Sequence, residues 1–528
     1  MPQFDAIIVG AGHNGLVAAC YLARAGRRVL VLERRHVVGG AAVTEEVFPR
    51  FKFSVCSYAV SLLRPEIIQD LDLHRFGLHI LPLHGTLTPL ERDALWRPED
   101  TAESQQEIAR FSPRDAAAYP AFLDAMREMA QFVKPMLSMT PPDIGSIDPR
   151  GVFDLFTLGR RLYRLPRDRQ HLLAALMSMS AADFVEQWFE SEPLKATLAA
   201  SGIIGTTLGV RSPGTAYVLL HHYMGEIDGE FRSWGVPRGG MGAVSQALAD
   251  AATELGVTIQ TSAAVEQILL RDGAASGVAL TNGDEHQAPV ILSNADVRTT
   301  FERMVGWEHV PEDFASAIRR YRFRGSTAKV NLALDGVPEF TGRPGVGPHL
   351  AGAISISPDL DTLERAYDES KYGAFSTHPY IDIVMPSLND DTLAPPGQHV
   401  MSCFVQYAPY HLAGGADWDA NRDALGDAVI RTLARYAPGL PSRILHRQVV
   451  TPLDLERDFG LTEGNIFHGE LSPDQLFSFR PAPGWARYRT PIFGLYLCGS
   501  STHPGGGVMG ACGRNAARQV LKETAKAR

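Results

Sequence analysis

Apolar residues in this chain fall into short uninterrupted runs, set off by glycine-rich turns, and into longer stretches of helical spacing. Residues 4–9 (FDAIIV) are one such run. A run this short, with no polar alternation, predicts a parallel strand buried on both faces. Gly10-Ala11-Gly12-His13-Asn14-Gly15 follows. Then LVAACYLARAG carries small and apolar residues at helical spacing and is stopped by Gly26. A second strand is predicted over 28–32, ending at Glu33, which completes a β-α-β unit within about 30 residues. Further on, the pattern predicts a helix around 243–255 and a strand over 256–261. Hairpin strands are expected at 263–270 and 276–281 around Asp272-Gly273, and a buried strand over 289–296 runs into a polar turn. Residues 326–334 (STAKVNLAL) alternate as a strand does, and 130–180 is helical in pattern and rich in Met, Leu and Phe. Near the C-terminus a strand over 494–499, a loop over 500–507 and a helix from 508 to about 526 repeat the opening arrangement. His221-His222-Tyr223 reads as strand, with its imidazoles on opposite faces, so a metal site is not expected.

The opening glycines carry a physical logic. Gly10 permits the tight turn off the strand, Gly12 lets backbone approach a pyrophosphate, and Gly15 lets the helix pack close to the sheet. The helix N-terminus offers free N–H groups and partial positive charge to phosphates. Glu33 stands where a carboxylate accepts hydrogen bonds from an adenosine ribose and repels a 2′-phosphate, which argues against NADP. The motif does not separate FAD from NAD. The glycines at 239–242 have the wrong spacing for a second fingerprint, and no CxxC or CxxxxC pair is present, so a dithiol reductase is excluded. Gly39-Gly40-Ala41-Ala42 has almost no side chain and suits a backbone lying against a flat cofactor or its phosphates.

The chain has 528 residues, with 50 Lys plus Arg against 59 Asp plus Glu, a formal net charge of −9. An acidic balance is poorly suited to nucleic acid. Five cysteines at wide gaps do not form a disulfide framework and fit a reducing compartment. No run of 18 apolar residues suggests a membrane span, and the N-terminus lacks the pattern of a cleaved leader, so a cytoplasmic setting is expected. Residues 153–171 combine apolar side chains with Arg160, Arg161, Arg164, Arg167 and Arg169. Such a stretch is either a solvated helix face or a peripheral contact with anionic membrane.

Several segments together resemble the flavin-dependent amine oxidase and phytoene desaturase superfamily: GAGHNGL with Glu33, PRGGMGAVSQAL (237–248) with VTIQTSAAVEQI, SNAD (293–296), and GLYLCGSSTHPGGGVMGA (494–511). VVGGAAVTEE (37–46), SYAVSLLRPEI (57–67), HHYMGE (221–226) and GSSTHPGGGVMGACGRNAA (499–517) resemble its phytoene dehydrogenase-related group. Within that group they are most similar to the branch named for a pyridine nucleotide-disulfide oxidoreductase domain. The resemblance implies an α/β fold: a Rossmann-like FAD-binding domain built from 1–75, 225–300 and 480–528, with an inserted α+β substrate domain over 76–224 and 301–479. It implies FAD contacts at Gly10, Gly12, Gly15, Glu33, Gly40, Ala41, Val265 (through its backbone, at the adenine end), Gly499, Gly507 and Val508.

Departures from the family pattern shape the expected chemistry. Ala41 stands where amine oxidases and many desaturases have Arg. Thr502-His503-Pro504 replaces the loop that carries a flavin-linking Cys, so FAD is expected to be non-covalent. Gly507-Val508-Met509 replaces the aromatic residue of an amine cage. Oxidation of a carbon skeleton is therefore favoured over oxidation of an amine. Two residues are candidates for catalysis. Lys329 is a lone charge in an apolar strand, matching in pattern a lysine that holds water beside flavin in amine oxidases. The alternative is an edge-strand lysine facing solvent. His503 lies in the closing loop and titrates near neutral pH in its ordinary state. Arg238 is expected to position the glycines after it, and Cys56, Cys498 and Cys512 to be small buried residues. The expected activity is FAD-dependent dehydrogenation, desaturation or redox-neutral isomerisation of an apolar, isoprenoid or polyene substrate, with oxygen or a quinone as acceptor. A flavin amine oxidase and a flavin-loaded regulatory protein are the rivals.

Overall fold

The computed structural model describes residues 3–142 and 149–526. Residues 143–148, inside the stretch read as helical over 130–180, lie outside them. The helices of that stretch are Pro113–Val133, Lys134–Ser138, Pro149–Arg164 and Arg167–Ser178.

Two sheets organise the chain. The first has five parallel strands in the order Thr258–Gln260, Val29–Leu32, Ala6–Val9, Ile291–Ser293 and Leu495–Leu497. Its centre pairs Ile7 with Leu30 on one side and with Ile291 on the other. Ala6–Val9 is wholly buried, as the unbroken apolar run requires of a parallel strand covered on both faces. One face is covered by the helices His13–Arg24, Gly242–Glu254 and Ala511–Lys526, which share a core of Leu16, Val17, Val244, Leu248 and Ala516. The first and last helices touch backbone to backbone, because a Cβ on Gly513 would lie 1.9 Å from Asn14 O. The hairpin Val265–Arg271/Ala274–Leu280 and the turn holding Phe301 cover the opposite face.

The second sheet has seven strands in the order Ile444–Val450, Thr327–Leu334, His399–Gln406, Tyr380–Val384, Ala353–Ile356, Gly85–Pro89 and Ala94–Pro98. Thr327–Leu334 is interior, and all eight of its residues are buried. Its alternation sorts side chains between two covered faces. Ala328, Val330, Leu332 and Leu334 join Ile381, Ile383 and Val405 beneath the helix Trp418–Ala434. Thr327, Lys329 and Asn331 share the opposite face with Gln406, Phe404 and Ser402, their direct partners on the next strand.

Two sequence expectations need correction. His221-His222-Tyr223 ends a helix, Thr215–Tyr223, rather than a strand. That helix is buried on every side, so it shows no polar stripe and its apolar run is ambiguous in sequence. The C-terminal helix begins at Ala511 rather than Val508, because Gly507 (φ 113°) and Gly510 (φ 72°) hold left-handed backbone that a right-handed helix excludes. All five cysteines are free and buried.

Candidate functional site

A cavity of about 610 Å³ runs from the glycine turn of the parallel sheet to the polar face of the seven-stranded sheet. At the first end, Gly10 turns off its strand at φ 97° and donates its N–H to Leu32 O. A Cβ on Gly15 would meet Gly10 O at 2.3 Å, so only glycine allows the helix so near the strand. Gly12, His13 and Asn14 line the cavity. The N-cap, Gly12, supplies no side-chain cap, which leaves first-turn amides for an anion. Asn294 packs over this turn: its Nδ2 donates to Gly10 O at 3.3 Å and lies 2.8 Å from where a Cβ on Gly12 would stand. Sequence reading placed Asn294 in a polar turn and missed this role.

Glu33 is buried on the cavity wall. Its carboxylate accepts from Ala11 N at 2.8 Å and from Arg35 N at 2.9 Å, which fixes its orientation and leaves lone pairs for a ligand. Gly40, Ala41 and Ala42 form the adjoining wall. Ser245, from the helix Gly242–Glu254, holds that loop through a 2.7 Å bond to Ala42 O. Val265 lines the same end. Gly507, Val508 and Ser500 close the cavity from the C-terminal side. Gly15 and Gly499 are not on its wall. Gly499 packs where a Cβ would lie 2.7 Å from Asn294 O, so both glycines act by letting other walls approach. Two wall imidazoles have buried nitrogens with no hydrogen-bond partner, His13 Nε2 and His468 Nδ1. Burial lowers the pKa of both, that of His13 to about 4, so they are neutral donors or acceptors at pH 7. Uncapped amides, unpartnered polar nitrogens and a glycine-walled turn suit the phosphates and ribose of a dinucleotide.

The other end is built on the seven-stranded sheet. Lys329, Phe404 and Asp382 are directly opposed across three strands and so form one transverse row. Lys329 lines the cavity with Phe404 and Tyr58. Its Nζ donates to Ser402 Oγ at 2.6 Å and to Ser54 O at 3.2 Å, leaving one N–H of the ammonium unused. The bond chain continues sideways from Ser402 to Asn331 and from Asn331 to Gln448. The ammonium also sits 4.8 Å over the Tyr58 ring. Desolvation brings its pKa down to about 8, which still leaves it charged at pH 7. Tyr58 donates its O–H to Asp382 at 2.5 Å, and burial raises the Asp382 carboxyl to about 6. The edge-strand alternative for Lys329 does not describe this interior strand.

His503 is placed differently from its sequence expectation. Its ring lies off the cavity wall, with Nε2 2.7 Å from Met136 O and the ring edge-on to Phe477. Burial lowers its pKa to about 4. It ties the closing loop to the helical layer. Arg480, absent from the sequence candidates, fixes the same loop: it is fully buried and donates to the carbonyls of Ser500, Glu470, Gln475, Phe467 and Gly469. His222 lines the cavity, stacks on Trp234 and is bonded to Val218 O. His221 is buried beside it in the same helix. Among the described residues no cluster could hold a metal ion. Arg238 is exposed and pairs with Asp391, while Asp390 accepts from Gly239 N.

Residues 15–521 match the family model described as flavin containing amine oxidoreductase. The chain is 42% identical to pyridine nucleotide-disulfide oxidoreductase domain-containing protein 2 of Rattus norvegicus, over 99% of this chain and 94% of the relative. It is 27% identical to a limonene dehydrogenase component from Castellaniella defragrans (99% and 95%). It is also 27% identical to the lycopene-forming phytoene desaturase of Pseudescherichia vulneris (96% of each). An oxidoreductase structure from Methanosarcina mazei shares the fold at a TM-score of 0.61 and 17% identity, covering 98% of this chain and 99% of that one.

Proposed function

The chain belongs to the flavin containing amine oxidoreductase family, and from that premise we propose that this FAD-dependent oxidoreductase withdraws hydride from the carbon skeleton of a largely apolar substrate, isoprenoid or polyene in class. FAD, when bound, supplies the hydride acceptor. The residues present fit it. Gly12 and the uncapped amides of the following turn would hold the pyrophosphate, Glu33 the ribose, and the backbone at Val265 the adenine end. Gly40, Ala41, Gly507 and Val508 would flank the rest. No covalent attachment is proposed.

The observation that carries the substrate class is the apolar part of the cavity wall, which Lys329 shares. Leu62, Ile204, Trp234, Phe404, Ile466 and Phe467 form it, a dry surface for a hydrocarbon. Tyr58 and Phe404 stack on each other at 5.6 Å rather than facing across a gap. The Tyr58 ring also carries the Lys329 ammonium. Two rings in mutual contact do not form the open aromatic cage that an amine would occupy, which disfavours the amine-oxidase alternative. Two relatives are named for limonene and phytoene substrates, which supports the same class. Lys329 would hold positive charge and a water at the reacting face, and the Tyr58–Asp382 couple would hold a proton behind it. Oxygen or a quinone is the proposed acceptor.

The test is anaerobic mixing of the yellow holoenzyme with isoprenoid polyenes, fatty acyl compounds and amines, following bleaching near roughly 450 nm. Bleaching by polyenes alone supports the reading. Bleaching by amines, with peroxide on admitting air, overturns it.

A further inference from the structure

The helix Pro149–Arg164 is built inside out. At about 100° per residue, Val152, Phe153, Leu155, Phe156, Leu162 and Tyr163 occupy one half of its circumference, and that half faces solvent. Phe153 is 67% exposed, Phe156 65% and Tyr163 85%. Arg161, on the far side, turns inward instead, donating to Phe132 O and lying over the Phe132 ring at 5.0 Å. A surface helix of a globular protein normally does the reverse, and an exposed apolar stripe of this size marks a contact surface.

The charges choose the occupant. Arg160 and Arg164 border the apolar arc, and Arg167 opens the next helix. Among the described residues no carboxylate pairs with any of the three. Asp168 beside them is turned to Arg169, which also binds Glu128. A basic rim on a chain of net charge −9 is local and one-sided. Apposing a second copy through this face by a two-fold axis would bring the arginines together, a repulsive arrangement. A bilayer with acidic headgroups satisfies both halves: the aromatic rings enter the headgroup–acyl boundary and the guanidiniums meet phosphates. We propose that this helix docks the protein on an anionic lipid surface, lying in its plane and not crossing it. No helix among the described residues is long and apolar enough to cross a membrane. The proposal stands apart from the flavin reading and uses none of its residues.

The experiment is co-sedimentation of the full-length holoprotein with phosphatidylcholine vesicles, with and without phosphatidylglycerol, at low and high salt. Wild type is expected to bind the acidic vesicles and to be released by salt. The triple variant Arg160→Gln/Arg164→Gln/Arg167→Gln should lose about fivefold in partition per arginine, roughly a hundredfold in all. Phe153→Ser/Phe156→Ser/Tyr163→Ser should fail to bind the acidic vesicles even at low salt. All six residues are exposed, so bound flavin and melting temperature should hold, which separates lost docking from lost folding. Three outcomes would overturn the proposal: wild type staying in the supernatant, equal binding to neutral vesicles by all three proteins, or a concentration-dependent dimer that the apolar variant abolishes. Substrate-driven bleaching of the same preparations is read separately, so either idea can fail without the other.

Discussion

Lys329→Met turns the buried ammonium into a thermodynamic measurement. In the folded chain, burial among Ser54, Ser402 and Tyr58 holds its pKa at about 8, against an ordinary 10.5. Below pH 8 both folded and unfolded chains carry this proton, and the folded state bears the cost of desolvating it. Between about pH 8 and 10.5 the unfolded chain keeps a proton the folded chain has shed, so stability attributable to this group rises with pH. The gap of about 2.5 pH units, at about 1.4 kcal/mol each, amounts to roughly 3 kcal/mol. Methionine does not titrate, and its loss of the Ser402 and Ser54 contacts is a constant offset. Urea unfolding of wild type and variant at steps from about pH 7 to about pH 10 gives the difference curve. Wild type should gain on the variant by about 2 kcal/mol over that interval, with all other titrations cancelling. A flat difference would mean that bulk solvent reaches Lys329 and that the sheet face is not the dry wall described above.

Other outcomes follow from the same geometry. Lys329→Met should keep its flavin yet slow reoxidation by oxygen by about tenfold or more, measured in stopped flow after photoreduction; an unchanged rate removes the residue from the mechanism. Arg480→Met leaves five carbonyls without their donor and should cost about 3 to 5 kcal/mol in denaturant unfolding, with loss of bound flavin. Gly15→Ala drives a methyl into Gly10 O and should weaken FAD binding by about tenfold or more, read by fluorescence titration of the apoprotein. His503→Gln should lower the melting temperature while leaving the turnover rate within about twofold, as befits a packing residue; a large loss of turnover at unchanged stability would restore it to the chemistry.

The opening β-α-β unit was legible because its signals are local: an apolar run, glycines at fixed offsets, a helix and an acid fall within about 30 residues. Lys329 was legible as a lone charge in an apolar strand. Its partners were not. Tyr58 and Asp382 are 324 residues apart, and YIDIV reads as an ordinary strand whichever face meets a ligand. Period-two alternation says that two faces exist but not what covers each. His503 drew attention because its loop is conspicuous, yet the side-chain direction that turns it to Met136 is set by helices far away in sequence. Arg480 looked like any surface arginine, since only the converging carbonyls of 467–475 and 500 make its burial possible.

The five-stranded sheet has a temporal consequence. Its members leave the ribosome in the order 6–9, 29–32, 258–260, 291–293 and 495–497, while the spatial centre is the first one made. For about half of translation the earliest strand has one neighbour and one raw edge, and the glycine turn at its end has neither Asn294 above it nor the last helix beside it. Such long-range closure is slow and leaves a sticky intermediate. Nascent chains should therefore need chaperone shelter until the final stretch emerges, and a message cut short before residue 495 should yield aggregate rather than a weakened flavoprotein.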